Sequence, residues 1–362
     1  MGFCSLRTEH GGNIWKIAEK WGLTTDGMID FSASINPLGM SSKAVEAINS
    51  SIHLLVHYPE PYADSLKETL SQYLGVDSHH LVLGNGGSEL IYLIGRMFYK
   101  NRVLLLAPTF SEYGRGIDNP SICRINLSPD NGFELPLEEL LDEIKNQDLV
   151  FIDNPNNPTG KLFAKDDLLQ VVEKAGSINA TVVVDEAFID FLGNSEVSLR
   201  DRIKEYRNLL VLGSLTKFFA LPGLRLGYAA GHHEIIGKME QMLPAWRINT
   251  LAIAAAKAAL TDYEYIRETI EKVKTERDFI LRGLADIPGL KVYPGASNFL
   301  LIDAQGLVKT AEEIQEHLRP QGIIIRQCSN FLNLSPFYLR IALRGREDNR
   351  LLLNALKGLL QG

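Results

Sequence analysis

Short apolar runs rich in β-branched residues recur at Val103 to Ala107, Leu149 to Ile152, Thr181 to Val184, Leu209 to Leu212 and Leu226 to Ala230. Their apolarity is continuous rather than alternating, which suits strands covered on both faces. Between them lie segments of helical periodicity such as Leu137 to Lys145 and Asp166 to Ala175. This alternation predicts an α/β fold with a largely parallel sheet and right-handed crossovers. From about Thr250 the texture changes to a long helical stretch, Leu251 to Leu284, then strand candidates Phe299 to Asp303, Ile323 to Arg326 and Tyr338 to Leu343. The expected division is an amino-terminal arm (1–40), a large domain (41–255) and a small α+β domain (256–362). No Gly/Ser linker separates them, so they should pack together.

A chain of 362 residues, 45% hydrophobic and 22% charged, can bury a substantial core. Its net charge of -7 argues against a general nucleic-acid binder. Cys4, Cys123 and Cys328 have neither metal-ligand spacing nor an even count, so inert thiols in a reducing compartment are expected. No run approaches the roughly 18 apolar residues of a spanning helix, which points away from a membrane and towards the cytoplasm. His79-His80 and His232-His233 are adjacent pairs without the helical spacing of a typical metal site, and read as surface residues.

Four segments carry chemistry, each placed just after a strand candidate. Ser214-Leu-Thr-Lys217, continuing to Arg225, sets one lysine among two hydroxyls and a guanidinium. A desolvated amine there could form a Schiff base, and its neighbours suit a phosphate dianion. Asp185 follows the run 181–184 and could keep a pyridine nitrogen protonated, although an isolated Asp there is more often a helix cap. Gly84-Asn-Gly86-Gly87-Ser88 leads into a helix whose free amides and dipole favour an anion. Asp153-Asn154-Pro-Asn-Asn157-Pro-Thr-Gly160 is a rigid loop able to present Asn157.

In order and separation, these four segments resemble the fold type I pyridoxal-phosphate enzymes over nearly the whole chain. The resemblance implies pyridoxal 5'-phosphate as cofactor, Lys217 as its covalent anchor, Asp185 on the ring nitrogen and Asn157 on the ring oxygen. It implies Gly86, Gly87, Ser88, Ser214, Thr216 and Arg225 on the phosphate, and Phe110 stacked on the ring. Tyr58, in Tyr58-Pro59, resembles a residue that reaches the cofactor phosphate of a partner subunit, which implies a homodimer with shared active sites.

Within that family the chain is similar to histidinol-phosphate aminotransferases and to the threonine-phosphate decarboxylases of cobalamin biosynthesis, both of which handle phosphate esters. The arm His10-Gly-Gly12-Asn13, with Asp30-Phe-Ser-Ala-Ser-Ile-Asn36, resembles the decarboxylase, as do Phe188 in place of a tyrosine and the charged Arg344. Ser34 departs from it, standing where that motif usually has Asn. The resemblance implies Arg340 and Arg344 on the substrate carboxylate, and Arg326 with His10, Gly12, Asn13 and Asn36 around a small phosphorylated amino acid. The implied reaction is decarboxylation of L-threonine O-3-phosphate, with amino transfer from histidinol phosphate as the alternative. A pyridoxal-binding regulator would need a nucleic-acid-binding module, and motifs from His10 to Arg344 leave no room for one among them.

Overall fold

Alternate residues of each buried run face opposite layers. In the computed structural model, which describes residues 10–99, 101–114, 117 and 121–360, Val182 and Val184 join one hydrophobic cluster while Val183 joins another. Leu209 and Val211 likewise separate from Leu210 and Leu212. Two-sided burial is why these strands read as unbroken apolar runs. Cys4 lies outside the described residues.

A short strand β1 (Ile29–Asp30) is followed by β2 (Leu81–Gly84), β3 (Val103–Ala107), β4 (Ile122–Asn126), β5 (Leu149–Asp153), β6 (Thr181–Asp185), β7 (Leu209–Ser214) and β8 (Gly227–Gly231). Strands β2 to β8 form one sheet in the order β2-β8-β7-β6-β5-β3-β4. Strand β8 runs antiparallel to β7 and β2, and the remaining pairs are parallel. The carboxyl ends of β2, β3, β5, β6 and β7 and the amino end of β8 therefore share one edge. Open α/β sheets bind ligands at such an edge.

The later strands are β9 (Lys291–Tyr293), β10 (Phe299–Asp303), β11 (Ile323–Ile324), β12 (Arg326–Gln327) and β13 (Tyr338–Ala342). An antiparallel sheet takes the order β12-β13-β10-β9, while β11 pairs in parallel with β1. The expected strand Ile323 to Arg326 is thus divided between two sheets. Ile325 marks the division, its N–H donating to Gln315 Oε1 at 2.8 Å rather than to a strand.

Helices α1 (Ile14–Trp21), α2 (Ser42–Ser51), α3 (Asp64–Leu74), α4 (Gly87–Met97), α5 (Leu137–Glu143), α6 (Lys165–Ser177), α7 (His233–Met242), α8 (Thr250–Leu260), α9 (Tyr263–Ala285), α10 (Ala311–Leu318) and α11 (Arg346–Gly358) cover the sheets. The expected single helix 251–284 is two, α8 and α9. At the break the Thr261 hydroxyl donates to the carbonyls of Lys257 and Ala258, and Asp262 pairs with Lys43 at 3.1 Å. A side chain that competes for backbone carbonyls favours a helix end. Among the described residues no helix is long and apolar enough to cross a membrane.

Asn36, expected at the substrate, instead knits the arm to the fold. Its amide nitrogen lies 2.7–2.8 Å from Phe218 O, Tyr265 OH and Thr269 Oγ1, and its side-chain oxygen accepts from Leu38 N–H. Its backbone N–H donates to Lys217 O at 3.0 Å. Removing the side chain leaves several buried polar groups without a partner. Asn36→Ala should lower unfolding free energy by about 2–3 kcal/mol, read as a lower urea midpoint at unchanged slope.

Candidate active site

The shared strand edge opens into a cavity of about 350 Å3. Each strand contributes from its end. Gly87 and Ser88 come from the start of α4, Phe110 from the loop after β3, Asn157 from the loop after β5, and Asp185 from the last position of β6. Ser214, Thr216 and Lys217 follow from β7, and Arg225 precedes β8. The carboxyl-terminal sheet adds Arg326 and Arg340, and the arm adds His10. All of these expected site residues line one cavity.

One corner is shaped for an anion. Gly86 has a φ of 84°, and α4 begins there without a side-chain cap. A Cβ on Gly86 would lie 2.5 Å from Arg225 Nη2, and one on Gly227 would lie 2.6 Å from Gly87 N. Only bare backbone lets the helix start, the guanidinium and β8 meet. The Ser214 and Thr216 hydroxyls sit 2.7 Å apart beside them. Free amides, hydroxyls and a guanidinium together match a phosphate monoester dianion.

Next to that corner, the Lys217 amine makes no hydrogen bond or ion pair among the described residues, and lies 6.0 Å from the centre of the Phe188 ring. Burial lowers its pKa to about 8, aided by the charges of Arg340 and Arg225 and opposed by Asp185. Burial also raises the Asp185 carboxyl, while Tyr113 OH donates to it at 2.8 Å and Ala187 N–H at 3.0 Å. Tyr113 is itself held against Phe151, with ring centres 5.0 Å apart. Burial takes Asp153 to about 7 although Asn157 N–H, Thr109 and Asn156 donate to it, which fixes the loop carrying Asn157.

These donors fit a phosphate-bearing aromatic aldehyde. The glycine corner could take the phosphate, Lys217 the aldehyde and Asp185 a protonated ring nitrogen. A carboxylate raised by burial gains most from a cation placed against it.

The cavity's other wall is cationic. Arg326 and Arg340 stand directly opposite each other across β12 and β13. Arg340 donates to Asn157 Oδ1 and to Ser32 O, both neutral acceptors, and its Nε has no partner. Burial lowers Arg340 to about 10, with Arg326 adding to the effect and Cys328 and Asp30 opposing it. Arg326 Nη2 donates to Asn330 Oδ1 at 2.7 Å and the guanidinium packs on Phe331. Ser34 Oγ also faces the cavity without a partner.

Several expected residues do not reach the cavity. Arg344 pairs with Asp348 at 2.8 Å and donates to Asp30 O, and it does not line the cavity. Gly12 N–H donates to Ser32 Oγ, and Asn13 caps α1 by accepting from Lys16 N–H. Asn36 is occupied as described. Tyr58 is 84% exposed and packs only its ring against Trp246, at 5.2 Å. Conversely, Glu112 lines the cavity unforeseen, its Oε1 2.9 Å from His10 Nε2 and its Oε2 accepting from Tyr92 OH. His10 and Glu112 stand 102 residues apart, so spacing carries no signal of the pair.

Amines react as the neutral form, whose share rises with pH and is half at the pKa. The rate at which cofactor-free protein is alkylated at Lys217 by formaldehyde and cyanoborohydride should rise with a midpoint near pH 8, not near 10.5. Peptide mapping across a pH series reads the result.

Comparison with known proteins agrees with this geometry. The family Aminotransferase class I and II matches residues 26–356. The threonine-phosphate decarboxylase of Salmonella typhimurium is 34% identical, covering 99% of this chain and 98% of its own. The adenosylcobalamin biosynthesis bifunctional protein CobDQ of Leptospira interrogans is 32% identical over 98% of this chain, which spans only 41% of that larger relative. The crystal structure of the histidinol-phosphate aminotransferase from Clostridium acetobutylicum superposes with a TM-score of 0.85 at 32% identity, covering 92% of this chain and 99% of that one. The chain belongs to the class I and II aminotransferase family, enzymes of fold type I that depend on pyridoxal 5'-phosphate.

Proposed function

We propose that this chain decarboxylates L-threonine O-3-phosphate to (R)-1-aminopropan-2-ol O-phosphate, for the linker of the cobalamin nucleotide loop. The observation that carries the reading is the in-register pair Arg326 and Arg340 in the same cavity as Lys217. Like charges directly opposed across a sheet destabilise it. Two anionic groups on one small substrate, a phosphate and a carboxylate, would relieve that repulsion. The 34% identity with a threonine-phosphate decarboxylase supports the same substrate.

Pyridoxal phosphate, held at Lys217 at rest and passed to the substrate amine, would supply an electron sink for the electrons of a breaking Cα bond and leave the Lys217 amine free. The chain's own residues decide which bond that is. Gly86, Gly87, Ser88, Ser214, Thr216 and Arg225 hold the cofactor phosphate, Asp185 keeps the proton on the ring nitrogen, and Phe110 covers the ring. Asn157 orients the ring oxygen and braces Arg340. Arg326 and His10 hold the substrate phosphate, so binding energy far from Cα fixes the rotamer there. Arg340 would hold the carboxylate and set its direction. With the bond from Cα to the carboxylate carbon broken and carbon dioxide released, the freed Lys217 amine, protonated, would deliver its proton to Cα.

Phe188 adds to this reading. It packs edge-on against Phe299 at 5.0 Å and offers no hydroxyl to a ring oxygen. Amino transfer from histidinol phosphate is the second reading, supported by 32% identity with a histidinol-phosphate aminotransferase. We further propose a homodimer in which Tyr58 completes the partner's phosphate site, since Tyr58 is exposed beside exposed Leu54, Leu55 and Val56.

Supplying phosphothreonine without any keto acid separates the two chemistries. Catalytic carbon dioxide release is expected. No release, with efficient glutamate formation from histidinol phosphate and 2-oxoglutarate, would establish the second reading instead.

A further inference from the structure

His79-His80 and His232-His233 stand about 150 residues apart and meet at the end of β2 remote from Gly86. Strand pairing brings them together. Leu81 opposes Ala230, and continuing that register outward sets His80 opposite Gly231 and His79 opposite His232. The four rings form a connected group, with centroids 4.4 Å apart for His79 and His80, 4.2 Å for His232 and His233, and 5.9 Å for His80 and His233. Two imidazoles on one tetrahedral zinc ion, with bonds of about 2.0–2.1 Å, place their centroids about 5 Å apart. Spacings within each pair are shorter than that value, and those between pairs, 5.9–6.4 Å, exceed it by about 1 Å.

The local chemistry agrees. His80 Nδ1 lies 2.7 Å from Gly231 O, a contact that puts the proton on Nδ1 and leaves Nε2 as the acceptor nitrogen. Metal-bound histidines are held the same way. His232 caps α7 by accepting from Glu234 N–H at 3.4 Å, beyond the usual hydrogen-bond range, so releasing that nitrogen costs little. Ligand atoms lie within 4.8 Å of one another in two separate groups, Asp77 with His79 and His80 and Glu234 with His232 and His233, so one shared ion requires the exposed His79 and His233 rings to turn towards each other. Those acids face Lys204 and Arg207, which leaves the imidazoles as the principal donors.

We propose that His79, His80, His232 and His233 form a binding site for one divalent transition ion of the zinc class. Nitrogen donors select Zn2+, Ni2+ or Cu2+ over Mg2+ or Ca2+. The ion would clip the start of β2 to the start of α7, one strand length from the cofactor corner and outside the catalytic cavity. The reading of the pairs as surface residues holds for His79 and His233, whereas His80 and His232 are buried where the sheet brings the two pairs together.

The test uses tag-free holoenzyme stripped with a chelator and titrated calorimetrically with ZnCl2 and with MgCl2. One Zn2+ per chain should bind and raise Tm, Mg2+ should not bind, and Cu2+ in its place should show hyperfine coupling to at least three nitrogens. The double variant His79→Ala/His233→Ala changes two exposed side chains. It should keep its circular dichroism and cofactor absorbance while losing at least tenfold in Zn2+ affinity. Equal affinity in the variant, or no saturable Zn2+ binding by the unaltered protein, would overturn the proposal.

Discussion

The active cavity depends on a close approach that only glycine permits. Strand β8 runs antiparallel between β2 and β7, so Gly227 lies opposite both Gly84 and Ser214. With no Cβ at Gly227, the first amides of α4 rest against the sheet edge. That contact brings the helix start, Arg225 and the Ser214–Thr216 hydroxyls to one corner. A side chain there would strike the Gly87 amide, push α4 away and dismantle the anion site.

Electrostatics then divides the cavity into places. Lys217, Arg225, Arg326 and Arg340 all line it, against Asp153, Asp185 and Glu112. Two of the cations are depressed by burial, Lys217 to about 8 and Arg340 to about 10. Each loses less charge stabilisation when an anion arrives, so bound phosphate and carboxylate groups make the arrangement more stable. For Lys217 the same burial keeps a useful share of the amine neutral near physiological pH, the form a carbonyl requires. Tyr113, hydrogen-bonded to Asp185 and stacked on Phe151, fixes the acid's direction from beneath.

Much of this was legible in sequence because strand ends are local features. Gly86, Asn157, Asp185 and Lys217 each follow an apolar run directly, and a parallel sheet aligns such ends without further information. What stayed hidden depends on distant partners. Arg344 and Arg340 look alike in the sequence, yet Arg344 pairs with Asp348 in the first turn of α11 while Arg340 lines the cavity. Asn36 reads as a polar loop residue until Tyr265 and Thr269 of α9 surround it. The direction of β8, the break at Thr261 and the division at Ile325 are likewise set by neighbours that the local pattern does not contain.

The account rests on Lys217 as the point of covalent attachment. Borohydride reduction of the holoenzyme, followed by digestion and fragment mass spectrometry, locates the fixed pyridoxyl group residue by residue. The label is predicted on Lys217 alone, in the peptide containing Ser214, Thr216 and Arg225 unless the protease cuts between them. A stoichiometric label on any other lysine, with Lys217 unmodified, would contradict the account.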